Sequence, residues 1–178
     1  MVMLLSIQQK YILDVLRKLG CIHRRQLETL VREKFRRPDL EISAARLDAM
    51  LRQLQAGTSN IFLDNELVCL SGASPDVLRL EAVDVMLELA EGSPADFTTQ
   101  VARPAILRFS WGDDLRLFTV AELSTPTRPA IEMLAHEKRV VWITAGGVPP
   151  ANLILPPKHF FAARLEDGSH RFYGSNGP

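Results

Sequence analysis

The sequence predicts an α+β protein built as two domains. Three observations carry this expectation. Helical periodicity runs through the chain as far as Gln55; short β-rich runs dominate from Pro104 onward; and a small-residue stretch, Ser71-Gly72-Ala73-Ser74, separates the two regimes. Apolar residues make up 47% of the 178 and charged residues 24%, a balance that buries real cores and argues against extended disorder.

The first helix is expected from Ser6 to Leu19. Ile12, Val15, Leu16 and Leu19 fall at i, i+3, i+4 and i+7, Ser6 is a natural cap and Gly20 a natural stop. A second helix follows over 24–35, with Leu27, Leu30, Val31 and Phe35 on one face and Arg36-Arg37-Pro38 breaking it. The third starts at Ser43 and runs to about Gln55 on Leu47, Met50, Leu51 and Leu54, with Gly57 behind it. The run NIFLDNELVCL then changes the period: Ile61 and Leu63 alternate, Asp64-Asn65 is a turn pair, and Leu67–Leu70 is β-rich. Three short helices followed at once by a hairpin is the order of a winged helix-turn-helix, which places that domain over residues 1–72 and a mixed α/β domain over 73–178.

In the second domain Ser74-Pro75-Asp76 starts a long helix reaching Glu91, with Leu80, Val83, Leu87 and Ala90 inward, and 92–99 reads as a loop. AILRFSW and LRLFTVAEL form two strands about the turn Gly112-Asp113-Asp114. A short helix follows over 129–138. RVVWITA is a continuous apolar run expected at the centre of a sheet. After the loop GGVPPANLILPP, HFFAARL and HRFYG pair through Glu166-Asp167-Gly168, and the SNGP tail should fray.

The formal net charge is zero, so no whole-chain argument for nucleic acid exists. Split at the hinge, residues 1–72 carry eleven Lys/Arg against eight Asp/Glu, whereas 73–178 carry ten against thirteen. That asymmetry permits a phosphate-facing first domain. Cys21 and Cys69, with no CxxC and no Cys/His cluster, argue against a disulfide framework or a structural zinc site. Met1–Leu5 is too short for a signal segment and no stretch reaches a membrane span, which points to a soluble cytoplasmic protein with no membrane partner.

A winged helix reads DNA by laying its third helix in the major groove. The face opposite the apolar stripe offers Ser43, Ala44, Arg46, Asp48, Ala49 and Arg52, with Gln53 at the edge. Arg46 and Arg52 suit guanine edges or phosphate, and the alanines allow close approach. Arg24 and Arg25 stand at a helix N-terminus that itself favours phosphate, and Arg32, Arg36 and Arg37 extend the basic run. The hairpin carries Asp64 and Glu66 and no Lys or Arg, which suits contact through the second and third helices. Some winged helices instead bind proteins, so an adaptor is the competing expectation.

The second domain shows no nucleophile–base pair: no GxSxG, no P-loop lysine, no HExxH. His136 and His159 stand alone, and Gly146-Gly147 reads as a plain turn. The order helix–strand–strand–helix–strand, with Asp113, Asp114 and Glu122, is similar to a restriction-endonuclease-like core. Such enzymes use an acid followed by Glu-x-Lys to hold Mg²⁺. Here the second element reads Glu122-Leu123-Ser124 and the lysine is absent, so the expected core is a degenerate one and an active metal-dependent nuclease is the weakest of the three readings.

The segments YILDVLRKLGCIHRRQLETLV, SAARLDAMLRQLQ and IFLDNELVCL, followed by a long helix and a sheet containing RVVWITA, give the chain a layout that resembles winged-helix proteins of plasmids and integrative conjugative elements. These are the replication-relaxation type and related families of Firmicutes. The resemblance implies DNA handling in a mobile element with no chemistry, metal or cofactor of its own, and carries over no catalytic residue. DNA is the expected partner, with a homodimer and a protein partner of the C-terminal domain beside it.

Overall fold

The computed structural model describes residues 4–58 and 60–175, and it divides into two compact units between Asp76 and Val77. It is an α+β protein with five helices and two sheets among the described residues. Most of the tail expected to fray, and most of the Met1–Leu5 run, lie outside those residues. Among the described residues no helix is long and apolar enough to cross a membrane.

In the first unit, α1 (Ile7–Leu19) opens on a capping box. Ser6 Oγ accepts from the Gln9 N–H at 3.1 Å, and Gln9 Oε1 accepts from the Ser6 N–H at 2.9 Å. Gly20, at φ +77°, ends the helix and turns the chain at once into β1 (Cys21–His23), a strand that no sequence pattern announces. Then come α2 (Arg24–Lys34), α3 (Ala44–Thr58), β2 (Ile61–Leu63) and β3 (Leu67–Leu70). The sheet order is β1-β3-β2, all antiparallel. The expected apolar stripes meet: Ile12, Leu16, Leu27, Leu30, Leu51 and Leu54 are all buried, with Ile22, Ile61 and Val68 from the sheet. Each such side chain contributes about 1.5–3 kcal/mol of apolar burial. Helix α3 runs on through Gly57, a turn further than the punctuation indicates.

The structure overturns one expectation here. Cys21 and Cys69 stand opposite each other in register across β1 and β3 and are joined as a disulfide. They are far apart in sequence, so spacing motifs are blind to the pair; the short strand β1 is what brings them together.

The second unit contains α4 (Val77–Leu89), β4 (Asp96–Thr98), β5 (Ala105–Trp111), β6 (Arg116–Glu122), α5 (Thr127–Met133), β7 (Val140–Ile143), β8 (His159–Arg164) and β9 (His170–Tyr173). Its six-stranded sheet runs β4-β5-β6-β7-β8-β9 in that order. β4 to β6 form an antiparallel meander, β7 is parallel to both β6 and β8, and β9 closes antiparallel on β8. β4 lies in the segment that reads as a loop, and α5 is shorter than expected. β7 is buried at all four positions, as its unbroken apolar run requires. α4 packs on β5, β6 and β7. A cluster containing Trp142, Phe161, Ala121 and Val140 takes in Ala130 and Leu134 from the α5 region and Leu155 from the β7–β8 connection.

Two buried polar groups explain side chains that look isolated in the sequence. Trp142 Nε1, a donor only, donates to His159 Nδ1 at 3.3 Å, so the other ring nitrogen, Nε2, carries the proton and donates to the Glu137 carbonyl at 3.1 Å. Burial pushes the His159 pKa below its ordinary value of 6.5, against the opposing pull of the Glu137 carbonyl and carboxylate. A lowered folded pKa means that the unfolded chain takes up the proton first. The stabilisation by neutral His159 is therefore full above about pH 6.5 and is lost as pH falls below that toward the folded value. Thermal melts of the wild type and of His159→Gln should diverge least below pH 6 and most above pH 7. Parallel curves would remove His159 from the acid limb.

The second group joins α4 to the β8–β9 hairpin. Glu81 pairs with Arg164, His170 Nε2 lies 3.4 Å from Glu81 Oε1, and His170 Nδ1 lies 2.8 Å from Glu88 Oε1. The His170 backbone N–H donates to Glu88 Oε2 at 3.0 Å.

Candidate nucleic-acid interface

The core stripe of α3 dictates what the helix leaves outside. Leu47, Leu51 and Leu54 are buried, and at 100° per residue the opposite face reads Ala45, Ala49, Arg52 and Ala56, all exposed. Arg46 and Gln53 share one flank, seven residues apart; Asp48 lies on the other.

Each flank is held by a neighbouring helix. Gln9 of α1, itself fixed by the capping box, donates through Nε2 to Gln53 Oε1 at 3.0 Å. Arg24 of α2 reaches Asp48 Oδ1 at 2.5 Å. The two clamps set the rotation of α3 about its own axis and leave the small-residue face outward.

The eight residues singled out from the sequence therefore separate. Arg24, expected to face phosphate, turns inward to Asp48, while its own N–H donates to the Glu66 carbonyl at 2.8 Å. Ser43 is exposed, but its hydroxyl accepts from the Arg46 N–H at 3.3 Å as the α3 cap. Arg32 lies within salt-bridge reach of Glu28 and Glu33, at 3.8 and 3.4 Å, and Arg36 of Glu33 at 3.3 Å. The hollow beside the α2–α3 connection is lined by Arg32, Arg36 and Arg37 but equally by Glu33, Asp39 and Glu41, so its charges offset one another. Arg25, Arg37, Arg46 and Arg52 remain on the exposed surface. Among the described residues Arg37, Arg46 and Arg52 have no acidic partner.

The acids that the nuclease-like reading singles out are not brought together. Asp114 sits in the β5–β6 turn and accepts from Arg116 Nε at 2.7 Å, a bond that holds its pKa below the usual carboxylate value. Glu122 lies at the far end of β6, roughly 25 Å away along an extended strand, and accepts from Arg103 at 2.7 Å. Among the described residues no cluster of three or more His, Cys, Asp or Glu is arranged to hold a metal ion. Gly147 closes the turn after β7 through its N–H to the Thr144 carbonyl at 3.0 Å.

Comparison with protein-family models, with curated proteins and with solved structures returns no match.

Proposed function

We propose that the chain is a non-enzymatic DNA-binding accessory or regulatory protein, with the first unit acting as a winged helix-turn-helix and α3 as its reading helix. The observation that carries this reading is the outward face of α3. Its small residues permit backbone approach, Arg52 stands on it and Arg46 flanks it, and among the described residues neither arginine has an acidic partner. The element order helix–strand–helix–helix–strand–strand and the sheet order β1-β3-β2 support the winged-helix reading. Arg25 and Arg37 are the phosphate-positioning candidates. Arg24 is a positioning residue that acts through Asp48.

The second unit, an antiparallel meander followed by a parallel crossover, supports a degenerate nuclease-like core without a completed metal set. The setting in this reading is cytoplasmic, in a mobile element, and a homodimer would match a pseudo-palindromic site. A metal-dependent nuclease would need Asp114 and Glu122 to converge, which their places at opposite ends of β6, in the turn before it and at its last residue, oppose.

The test is duplex binding against salt. The two phosphate-positioning arginines, Arg25 and Arg37, correspond to a log–log slope of about −1.8, and each further arginine that contacts phosphate steepens it by about 0.9. Arg46→Ala and Arg52→Ala should each weaken specific binding by about 1–3 kcal/mol, and Asp64→Ala or Glu66→Ala in the wing turn by much less. No duplex binding even at low salt ends this reading, and equal effects from the wing remove α3 as the reader.

One observation favours the adaptor as a second reading. Phe62 is 61% exposed on β2, beside an acidic turn. An adaptor predicts that Phe62→Ala abolishes association with a protein partner. In the DNA reading the same substitution leaves duplex affinity in place.

A further inference from the structure

The two sulfurs meet because of register. The Leu70 N–H donates to the Gly20 carbonyl and the Arg24 N–H to the Glu66 carbonyl, both at 2.8 Å. Antiparallel rungs alternate, so Cys21 and Cys69 between them form a non-hydrogen-bonded pair, with Cα atoms 4.1 Å apart. That is the pairing that brings opposing side chains closest. Closing the bond therefore demands no change of register.

What the bond holds is a three-residue edge strand. β1 pairs with β3 alone and passes straight into α2. At the junction the His23 N–H is held by Gln26 Oε1 at 2.9 Å, and the next residue, Arg24, grips Asp48 on α3. A displacement at Cys21 thus reaches α3 within three residues. The ring closed by the bond, with a sequence separation of 48, contains α2, α3 and the exposed Arg25, Arg37, Arg46 and Arg52.

We propose that Cys21 and Cys69 form a thiol–disulfide exchange site whose redox state gates the presentation of α3. The reductant is a dithiol. The protein S–S bond breaks, an S–S bond forms within the dithiol, and two electrons and two protons pass to the Sγ atoms of Cys21 and Cys69. Reoxidation by a small disulfide runs the same exchange backwards, releasing two thiols. Both cysteines are buried, 3% and 5% exposed, so exchange proceeds when the short β1 edge opens. In a reducing compartment a protein disulfide is transient and sensing, which is the role assigned here. The consequence for DNA rests on the proposed function; the gate on α3 rests on the sheet geometry.

The experiment uses the full chain equilibrated with oxidised glutathione or with dithiothreitol. Thiols are counted by alkylation in denaturant, backbone amides are followed by hydrogen exchange, and duplex binding is measured on both forms. The oxidised form should contain the linked Cys21 and Cys69 peptides. Reduction should raise exchange over residues 20–24, 66–70 and 44–52, with the β6–β7 amides unchanged as internal reference. It should also weaken duplex binding by about tenfold, within the usual range of site-to-site coupling. Cys21→Ala/Cys69→Ala should match the reduced form in both buffers. Free thiols after oxidised glutathione, identical exchange at α3 in the two forms, or equal duplex affinity of two forms that both bind would each overturn the proposal. If neither form binds duplex, the DNA reading fails, and the exchange difference at α3 alone decides the gate.

Discussion

Replacing Arg164 by methionine should destabilise the protein by about 3–5 kcal/mol, because it leaves the carboxylate of Glu81 buried without its cation. The Glu81 side chain is 3% exposed and that of His170 1%, so neither reaches water to compensate. After the loss of Arg164, Glu81 keeps, among the described residues, the 3.4 Å contact with His170, whose other ring nitrogen is already engaged by Glu88 at 2.8 Å. The Arg164 side chain is 38% exposed and can be solvated when Glu81 is removed instead, so Glu81→Leu should cost less. The double variant Glu81→Leu/Arg164→Met should recover most of the single loss, since replacing both charges by apolar groups removes the desolvation penalty with them. Urea unfolding of the four proteins forms a closed cycle, and a coupling of about 3 kcal/mol is expected, the recovered loss plus the cost of Glu81→Leu. Additive effects would mean that the pair contributes nothing beyond its packing.

The second large effect is expected at Gly147. Its φ is +67°, a conformation that costs a residue with a Cβ about 1–2 kcal/mol. A Cβ there would also lie 2.7 Å from Arg164 Cβ, well inside van der Waals contact. Arg164 cannot withdraw cheaply, since its N–H donates to the Gly147 carbonyl at 2.9 Å. Overpacking adds about 1–3 kcal/mol, so Gly147→Ala should lose about 2–5 kcal/mol in all. Gly146 supplies the control: nothing lies within 4 Å of the point its Cβ would occupy and its φ is not positive, so Gly146→Ala should fall within about 0.5 kcal/mol of wild type. Equal melting temperatures for the two alanine variants would show that the turn after β7 yields freely.

The two glycines illustrate what a sequence conveys. Gly146-Gly147 after an apolar strand announces a turn, and a turn is what forms. Which glycine is indispensable depends on β8 lying against it, a neighbour seventeen residues away. The same holds for α3. Its stripe at 47, 51 and 54 dictates which face is buried, yet it does not reveal that Asp48 is taken by Arg24 and Gln53 by Gln9. Those partners come from other helices, and charge alone does not say where an arginine points. β1 and β4 leave no mark in the sequence because, unlike the equally short β2, neither leads through a turn pair into a β-rich partner run; they exist through pairing with the distant β3 and with β5.

Local periodicity, caps and punctuation thus determined α1, α2, α3, α4, β5, β6 and β7 and the two-part layout, since the energy that selects them acts between residues a few positions apart. Only the tertiary structure decided the Cys21–Cys69 bond, the Glu81–Arg164–His170–Glu88 cluster, the neutral His159 beneath Trp142 and the division of the arginines between inward clamps and an exposed set. Each of these depends on two distant segments being brought within a few ångströms, where burial and hydrogen bonding, rather than residue type, set what a side chain does.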